Sequence, residues 1–156
     1  MAHNLKEGDL APIFSLPDQN GKTMRLSDFK GKKRVILYFY PKDDTPGCTV
    51  EACGFRDEYK KIENEDAVIF GVSPDDEVSH QKFIQKFSLP FTLLCDKEKE
   101  VCQKYGVWVE KNMYGKKYWG VARTTFVIGK DGKIEKIYEK VKPEGHNQEI
   151  LDFLNA

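Results

Sequence analysis

The chain of 156 residues carries 25 basic and 25 acidic side chains. Because these charges balance, the composition gives no indication of nucleic acid or an anionic membrane as a partner. No apolar run approaches the roughly 20 residues that a membrane-spanning helix needs. The first residues, Met1 to Glu7, lack the apolar core of a signal peptide. We therefore expect one domain over residues 1–156, located in the cytoplasm, without nucleic acid or membrane as a partner.

The N-terminal residues 1–33 are predicted to add a small β extension to a larger sheet. Two short segments with strand patterns, 14–16 and 23–26, flank an Asn-Gly pair, which is typical of a hairpin turn. Ser27 and Asp28 then favour a single helical turn.

The central feature is a buried strand that leads directly into a cysteine-containing loop. Residues 34–39 form a continuous apolar run, typical of a strand buried on both faces. The segment from Tyr40 to Cys53 starts with loop residues, and an amphipathic helix is predicted to continue to about Glu65. Cys48 falls where the strand has ended and the helix begins. This edge of an α/β sheet displays reactive groups, and a helix N-terminus favours a thiolate, so Cys48 is predicted to be a nucleophile.

The following segments alternate between strands and helices. Residues 67–73 form a second apolar run, which we expect to return parallel to the first strand in a βαβ unit. A helix capped by Asp75 or Asp76 follows, and then a strand over residues 89–95. A short helix is predicted to end at Gly106.

The last third of the chain contains one segment whose sequence pattern does not define its structure, followed by a clear hairpin and a helix. Residues 107–122 place aromatic side chains among lysines and glycines, and we interpret them as an aromatic-rich loop or strand edge. Strands over 124–128 and 133–138 flank an Asp-Gly turn, and residues 146–154 have the pattern of an amphipathic helix. The order of elements predicts an α/β protein with a thioredoxin-like three-layer fold: a central mixed sheet, helices on both faces and an N-terminal β extension.

Four cysteines, Cys48, Cys53, Cys95 and Cys102, limit the chemistry. Disulfides are disfavoured in the cytoplasm, so these thiols indicate redox or metal chemistry. Their C-x4-C and C-x6-C spacings disfavour a structural zinc site, whose ligands usually come in two close pairs. Five helical residues separate the Cα atoms of Cys48 and Cys53 by about 8.6 Å, whereas a disulfide needs about 7 Å or less. A disulfide between them therefore requires the helix to unwind, and we interpret Cys95 and Cys102 as core residues.

The motif Pro41-x-x-x-Thr45-x-x-Cys48 resembles that of the peroxiredoxins, which are cysteine-dependent peroxidases. The longer run from Tyr40 to Asp57 is similar to the bacterioferritin comigratory protein, or peroxiredoxin Q, group. The similarity extends from a Gly-Asp-x-Ala-Pro-x-Phe segment near the N-terminus to the Asp-Gly hairpin.

This resemblance implies reduction of hydrogen peroxide and organic hydroperoxides, with Cys48 as the peroxidatic cysteine whose thiolate becomes a sulfenic acid. Arg123 would favour the thiolate and polarise the substrate, the Thr45 hydroxyl would hydrogen-bond to both, and Pro41 would shield the pocket from water. Cys53 would be the resolving cysteine and form an intramolecular disulfide, which thioredoxin or a similar dithiol would reduce. The resemblance implies a monomer without an organic cofactor or a metal.

Two alternatives to a peroxidase remain open. A redox sensor or thiol-relay module would use the same Cys48 and form a stable mixed disulfide with one partner. A structural or holdase domain would only pack its cysteines, and these would not react rapidly with alkylating agents near neutral pH. The sequence also leaves open whether Glu51 is a helix-start carboxylate or a partner of Arg123.

Overall fold

The computed structural model describes residues 4–156, so the first three residues of the predicted N-terminal extension lie outside the described part. At its centre is a five-stranded sheet with the spatial order β5 (Thr92–Cys95), β4 (Ala67–Ser73), β3 (Arg34–Phe39), β8 (Thr124–Ile128) and β9 (Ile134–Tyr138). β3 pairs in parallel with β4, which pairs in parallel with β5. On its other side, β3 pairs antiparallel with β8, and β8 with β9. The predicted mixed sheet and the parallel return after the first helical segment are confirmed.

Helices cover both faces of this sheet, which confirms the predicted three layers. They are α1 (Pro46–Asp57), α2 (Tyr59–Asn64), α3 (Glu77–Phe87), α4 (Glu100–Lys104) and α5 (His146–Asn155). Side chains of α1, α2, α3 and α5 join the buried cluster on one face, whereas α4 contributes to the cluster on the other face. Within residues 4–156, no helix combines the length and the apolar character needed to cross a bilayer.

The predicted single helix from the cysteine loop to about Glu65 is wrong in one respect, because it is interrupted. Glu58, with φ −105° and ψ 8°, separates α1 from α2. Phe55 and Ile62 lie on either side of the break and are both buried in the same cluster. The spacing of apolar residues therefore continues across the break. Because the dihedral angles of one residue do not change this spacing, the break could not be predicted from the pattern.

The segment that we interpreted as an aromatic-rich loop or strand edge is a regular β-hairpin. Its strands, β6 (Trp108–Met113) and β7 (Lys116–Val121), form a separate two-stranded sheet. Tyr114 and Gly115 make the turn, and both have positive φ, 53° and 81°. Two-residue turns of this kind usually carry Asn-Gly or Asp-Gly, so a Tyr-Gly pair in the sequence does not predict a hairpin.

The predicted hairpin in the N-terminal segment is confirmed, but it does not join the central sheet. β1 (Ser15–Pro17) and β2 (Thr23–Arg25) form a two-stranded sheet of their own, followed by a single 3-10 turn at Leu26–Phe29. Isolated bridges, such as the one between Asp18 and Leu94, connect this segment to the central sheet. The N-terminal segment also contributes buried side chains to the cluster on the α4 face.

Candidate active site

Cys48 occupies the first turn of α1, directly beyond the carboxyl end of β3. Thr45 is the N-cap residue of this helix, and Pro46 stands at its first position, where a missing N–H costs no hydrogen bond. The backbone N–H groups of Gly47 and Cys48 belong to the first turn, in which helical N–H groups have no intrahelical acceptor. The side chain of Cys48 is buried, with 1% of the residue exposed. The predicted position at a strand-to-helix junction is confirmed.

Arg123 lies beside this sulfur because of the register of the sheet. It immediately precedes β8, whose first residue, Thr124, pairs with Phe39 at the end of β3. Its Nη2 donates a hydrogen bond to the Sγ of Cys48 over 3.3 Å. A Cβ atom on Gly47 would lie 3.1 Å from the same Nη2, so a glycine at this position allows the close approach of the guanidinium.

The same guanidinium also binds Glu51, which settles the question that the sequence left open. The Nη1 of Arg123 donates to Glu51 Oε1 over 2.7 Å, and the Glu51 side chain has no exposed surface. Burial raises the pKa of Glu51 to about 7, although the charge of Arg123 opposes this shift. Burial lowers the pKa of Arg123, but Glu51 and Cys48 outweigh it and the net shift is upward. One permanent cation thus faces a thiol and a carboxyl group.

Thr45 and Pro41 lie near Cys48 in the chain, but the structure assigns Thr45 a different contact from the expected one. Its hydroxyl donates to the backbone oxygen of Lys42 over 2.9 Å and does not cap α1. Within the described residues it forms no hydrogen bond to the sulfur of Cys48. The hydroxyl oxygen retains its capacity to accept a hydrogen bond. Pro41 is half-buried two residues after the end of β3.

The other three cysteines differ in their surroundings. Cys53 is half-buried on α1, five residues after Cys48, and the helix is continuous through both positions. Cys95 and Cys102 are buried, as expected for core residues, and all four thiols are free. Burial, and next to it Asp96, raise the pKa of Cys102. A thiol in this setting is a poor nucleophile near neutral pH.

Two features near the site were missed in the sequence. Lys111 on β6 is half-buried, and its pKa is lowered by burial and by the charge of Arg123. The buried residues Asp43 and His80 form a second feature, with Asp43 Oδ2 and His80 Nδ1 2.6 Å apart. No local pattern could have revealed this pair, because its members are separated by 37 positions.

Metal-ligating geometry occurs in one place within residues 4–156. One potential ligand atom from each of Asp43, Asp75 and His80 lies within 4.8 Å of the others. Both ring nitrogens of His80 and a carboxylate oxygen of each aspartate already take part in hydrogen bonds to protein atoms. The three residues are therefore parts of a hydrogen-bonded network in this structure.

A thiol in the first turn of a helix, bound by a guanidinium at the carboxyl edge of a thioredoxin-like sheet, fits the peroxidatic site that the sequence resemblance implies. The sequence profile of the AhpC/TSA family matches residues 8–137. The chain therefore belongs to the AhpC/TSA family, within the group of Bcp and Q-type peroxiredoxins, and is a thiol peroxidase.

Individual relatives agree with this assignment over nearly the whole chain. A Bcp relative from Coxiella burnetii is 53% identical over 151 residues, which are 97% of this chain and 99% of the relative. Peroxiredoxin Bcp of Escherichia coli K12 is 46% identical over 150 residues, 96% of each chain. The solved structure of a cysteine variant of Xylella fastidiosa PrxQ superposes with a TM-score of 0.92 at 33% identity, covering 97% of this chain and 96% of that one.

Proposed function

We propose that this protein reduces hydrogen peroxide and organic hydroperoxides with Cys48 as the peroxidatic cysteine. The observation that carries the proposal is the 3.3 Å hydrogen bond from Arg123 Nη2 to Cys48 Sγ in the first turn of α1. A solved relative that is 35% identical, the Xanthomonas campestris bacterioferritin comigratory protein, is described by its alkyl peroxide reduction activity. This description supports organic hydroperoxides as a second substrate class.

In the first step the Cys48 thiolate attacks one peroxide oxygen and the O–O bond breaks. The sulfur becomes a sulfenic acid, and the other oxygen leaves with the bonding electron pair and takes up a proton to give water or an alcohol. The charge of Arg123 favours the thiolate, and the N–H groups of the first helical turn stabilise the charge on the leaving oxygen. The Thr45 hydroxyl, whose proton is directed to Lys42, serves as an acceptor for the substrate O–H. Pro41 limits access of water.

In the second step the Cys53 thiol condenses with the sulfenic acid, releasing water and forming an intramolecular disulfide. The first turns of α1 must unwind for this step, because an intact helix holds the two Cα atoms about 8.6 Å apart. Thioredoxin or a similar dithiol then reduces the disulfide and becomes oxidised itself. In this proposal the chain acts as one domain and as a monomer in the cytoplasm, and sulfur alone carries the electrons.

The test is peroxide consumption coupled to thioredoxin, thioredoxin reductase and NADPH. Cys48→Ser is expected to abolish turnover, because it removes the nucleophile, and normal turnover in this variant would contradict the proposal. In Cys53→Ser, one equivalent of peroxide should still oxidise Cys48, while thioredoxin-driven turnover falls strongly. Cys102→Ala is the matched control, since it removes a buried thiol with no proposed role, and its turnover should match that of the wild type.

Mass spectrometry of the oxidised protein tests the resolving step separately. After one equivalent of peroxide, the wild type should contain a disulfide that joins Cys48 to Cys53. A disulfide to Cys95 or Cys102 instead, or unchanged turnover in Cys53→Ser, would refute the role of Cys53 while leaving that of Cys48 in place.

A further inference from the structure

Asp43 is a buried carboxylate in the loop between β3 and α1, five residues before Cys48. Three side chains donate hydrogen bonds to it: the hydroxyl of Tyr40 over 2.5 Å, the hydroxyl of Ser79 over 2.8 Å and Nδ1 of His80 over 2.6 Å. Ser79 and His80 belong to α3. The loop that precedes the peroxidatic cysteine is thus attached to a helix that carries no cysteine.

The His80–Asp43 contact is a buried ion pair. His80 Nδ1 faces the Asp43 carboxylate, and Nε2 faces the backbone oxygen of Leu94 over 2.9 Å. Both partners accept hydrogen bonds, so both ring nitrogens must carry a proton. Burial lowers the pKa of His80, but the hydrogen bond to Asp43, the charge of Asp43 and the hydrogen bond to Leu94 outweigh it and raise the pKa to about 10. The side chains of His80 and Asp43 are 0% and 3% exposed.

Further contacts fix the same loop from two sides. The backbone N–H of Asp43 donates to Asp75 Oδ2 over 2.8 Å, and this oxygen also accepts from the Ser73 hydroxyl at the end of β4. Lys86, near the end of α3, binds Asp44 over 2.8 Å. Asp76 caps α3 by accepting from the backbone N–H of Ser79, which confirms one of the two caps expected from the sequence. The loop is therefore held by α3 and β4, both of which stay outside the segment that must unwind.

We infer that the His80–Asp43 ion pair positions the loop residues Pro41 and Thr45 relative to the Cys48 sulfur. His80 and Asp43 are therefore positioning residues in peroxide reduction. The inference rests on the proposed role of Cys48. Removing one member of a buried ion pair leaves the other charge uncompensated, and the loop must shift to solvate it. A displacement of about 1 Å in an aligned reaction costs about 100-fold in rate.

The test compares two reactions at Cys48 in the reduced protein, each followed by peptide mass spectrometry. Oxidation by hydrogen peroxide requires alignment of the loop, whereas alkylation by iodoacetamide uses the same sulfur without that alignment. The ratio of the two rate constants should fall about 10- to 100-fold in His80→Ala. It should recover in part in His80→Asn, because the amide nitrogen of Asn can restore the hydrogen bond at the place of Nδ1 but not the positive charge. A general loss of stability affects both reactions and leaves their ratio unchanged. An unchanged ratio in His80→Ala would therefore overturn the inference.

The control variant is Glu77→Gln, which alters the same helix at a residue that pairs with Lys97 over 3.0 Å. Its ratio should match that of the wild type, and a fall as large as in His80→Ala would overturn the inference. If His80→Ala does not fold, Ser79→Ala replaces it, with a smaller fall in the ratio expected and no fall counting against the inference. A wild-type Cys48 that peroxide does not oxidise would instead contradict the proposed function itself.

Discussion

At the scale of single residues, the site depends on one guanidinium that serves two groups. Arg123 binds Cys48 with one terminal nitrogen and Glu51 with the other, over 3.3 and 2.7 Å. A lysine could not replace it, because a single ammonium group lacks the planar fork that reaches both partners. Glu51 orients the guanidinium but also competes with Cys48 for its charge. The protonation state of Glu51 therefore affects both stability and reactivity.

Glu51 gives the protein a stability that depends on pH. Its pKa is about 7 in the folded state against an ordinary value of 4.5. Between these values the unfolded chain binds fewer protons at this group than the folded one, so stability falls as pH rises from 4.5 to 7, by about 3 kcal/mol in total. Glu51→Gln removes this titration. The difference in unfolding free energy between variant and wild type should change by this amount between pH 4.5 and 8, as measured by urea unfolding of the reduced proteins.

The experiment has one outcome that supports the prediction for Glu51 and one that contradicts it. A widening advantage of Glu51→Gln with rising pH would show that the buried carboxyl group is charged at a cost. Parallel stability curves over the whole pH range would contradict the prediction, because they would place the titration of Glu51 at the same pH in the folded and unfolded states.

The sequence predicts the reactive residues better than their supports. Cys48 could be identified because its position depends on local signals, a buried strand followed by loop and helix-start residues. Arg123 could be assigned only through the resemblance, since its approach to Cys48 depends on the register between β3 and β8. The pairing of Asp43 with His80 could not be predicted, because it depends on how α3 packs against the loop.

At the scale of elements, α1 has to meet two opposing requirements. In the proposed mechanism, its first turn must be ordered in the reduced state to present Cys48 to Arg123, and the same turn must open before Cys53 can reach the sulfur. The helix is only 12 residues long and is separated from α2 at Glu58. A short helix gains most of its stability from packing, so opening of its first turns need not disturb the rest of the fold.

Oxidation should therefore expose the backbone of α1 selectively. After one equivalent of peroxide, amide hydrogen exchange in residues 46–53 should become faster, because the helical hydrogen bonds there are broken, while α3 stays protected. Hydrogen exchange with mass spectrometry measures both segments in one experiment. Cys53→Ser is the matched control, since its oxidised form cannot make the disulfide and should keep the exchange pattern of the reduced state. Unchanged protection of α1 in the oxidised wild type would refute the unwinding step.

Two features of the secondary structure could not be predicted from the sequence pattern. The β6–β7 hairpin depends on Tyr114 in a left-handed conformation, which an aromatic residue rarely adopts. The break at Glu58 leaves the spacing of buried residues intact. In both cases the local backbone departs from what the side chains favour.

At the scale of the whole molecule, stability depends on two buried clusters separated by the central sheet. Gly71 of β4 lies where a side chain would enter the cluster on the α1 face. A Cβ atom there would come within 2.7 Å of the Leu93 side chain and 2.9 Å of the Tyr38 ring and hydroxyl. The Tyr38 ring is in contact with Tyr40, which binds Asp43, so packing at this point is continuous with the loop between β3 and α1.

Gly71→Ala should therefore destabilise the protein by about 1–3 kcal/mol, because the added methyl group forces the Leu93 and Tyr38 side chains to move. Urea unfolding of the reduced protein measures this change. Gly120→Ala is the matched control: there a Cβ atom meets its nearest neighbour at 3.4 Å, and its effect should stay within about 0.5 kcal/mol. Equal stability of Gly71→Ala and the wild type would show that the core can absorb the methyl group.

The burial of Cys48 also limits which cellular oxidants can reach the sulfur of the reduced enzyme. With 1% of the residue exposed, the sulfur has almost no contact with solvent while the helix is closed. A bulky disulfide such as oxidised glutathione cannot approach it along the S–S axis that exchange requires while the helix is closed. The reduced form thus discriminates among oxidants by size before any bond is broken. In the proposed cycle, exchange with disulfides and dithiols is confined to the opened state, so the closed turn faces the peroxide and the opened turn faces the reductant.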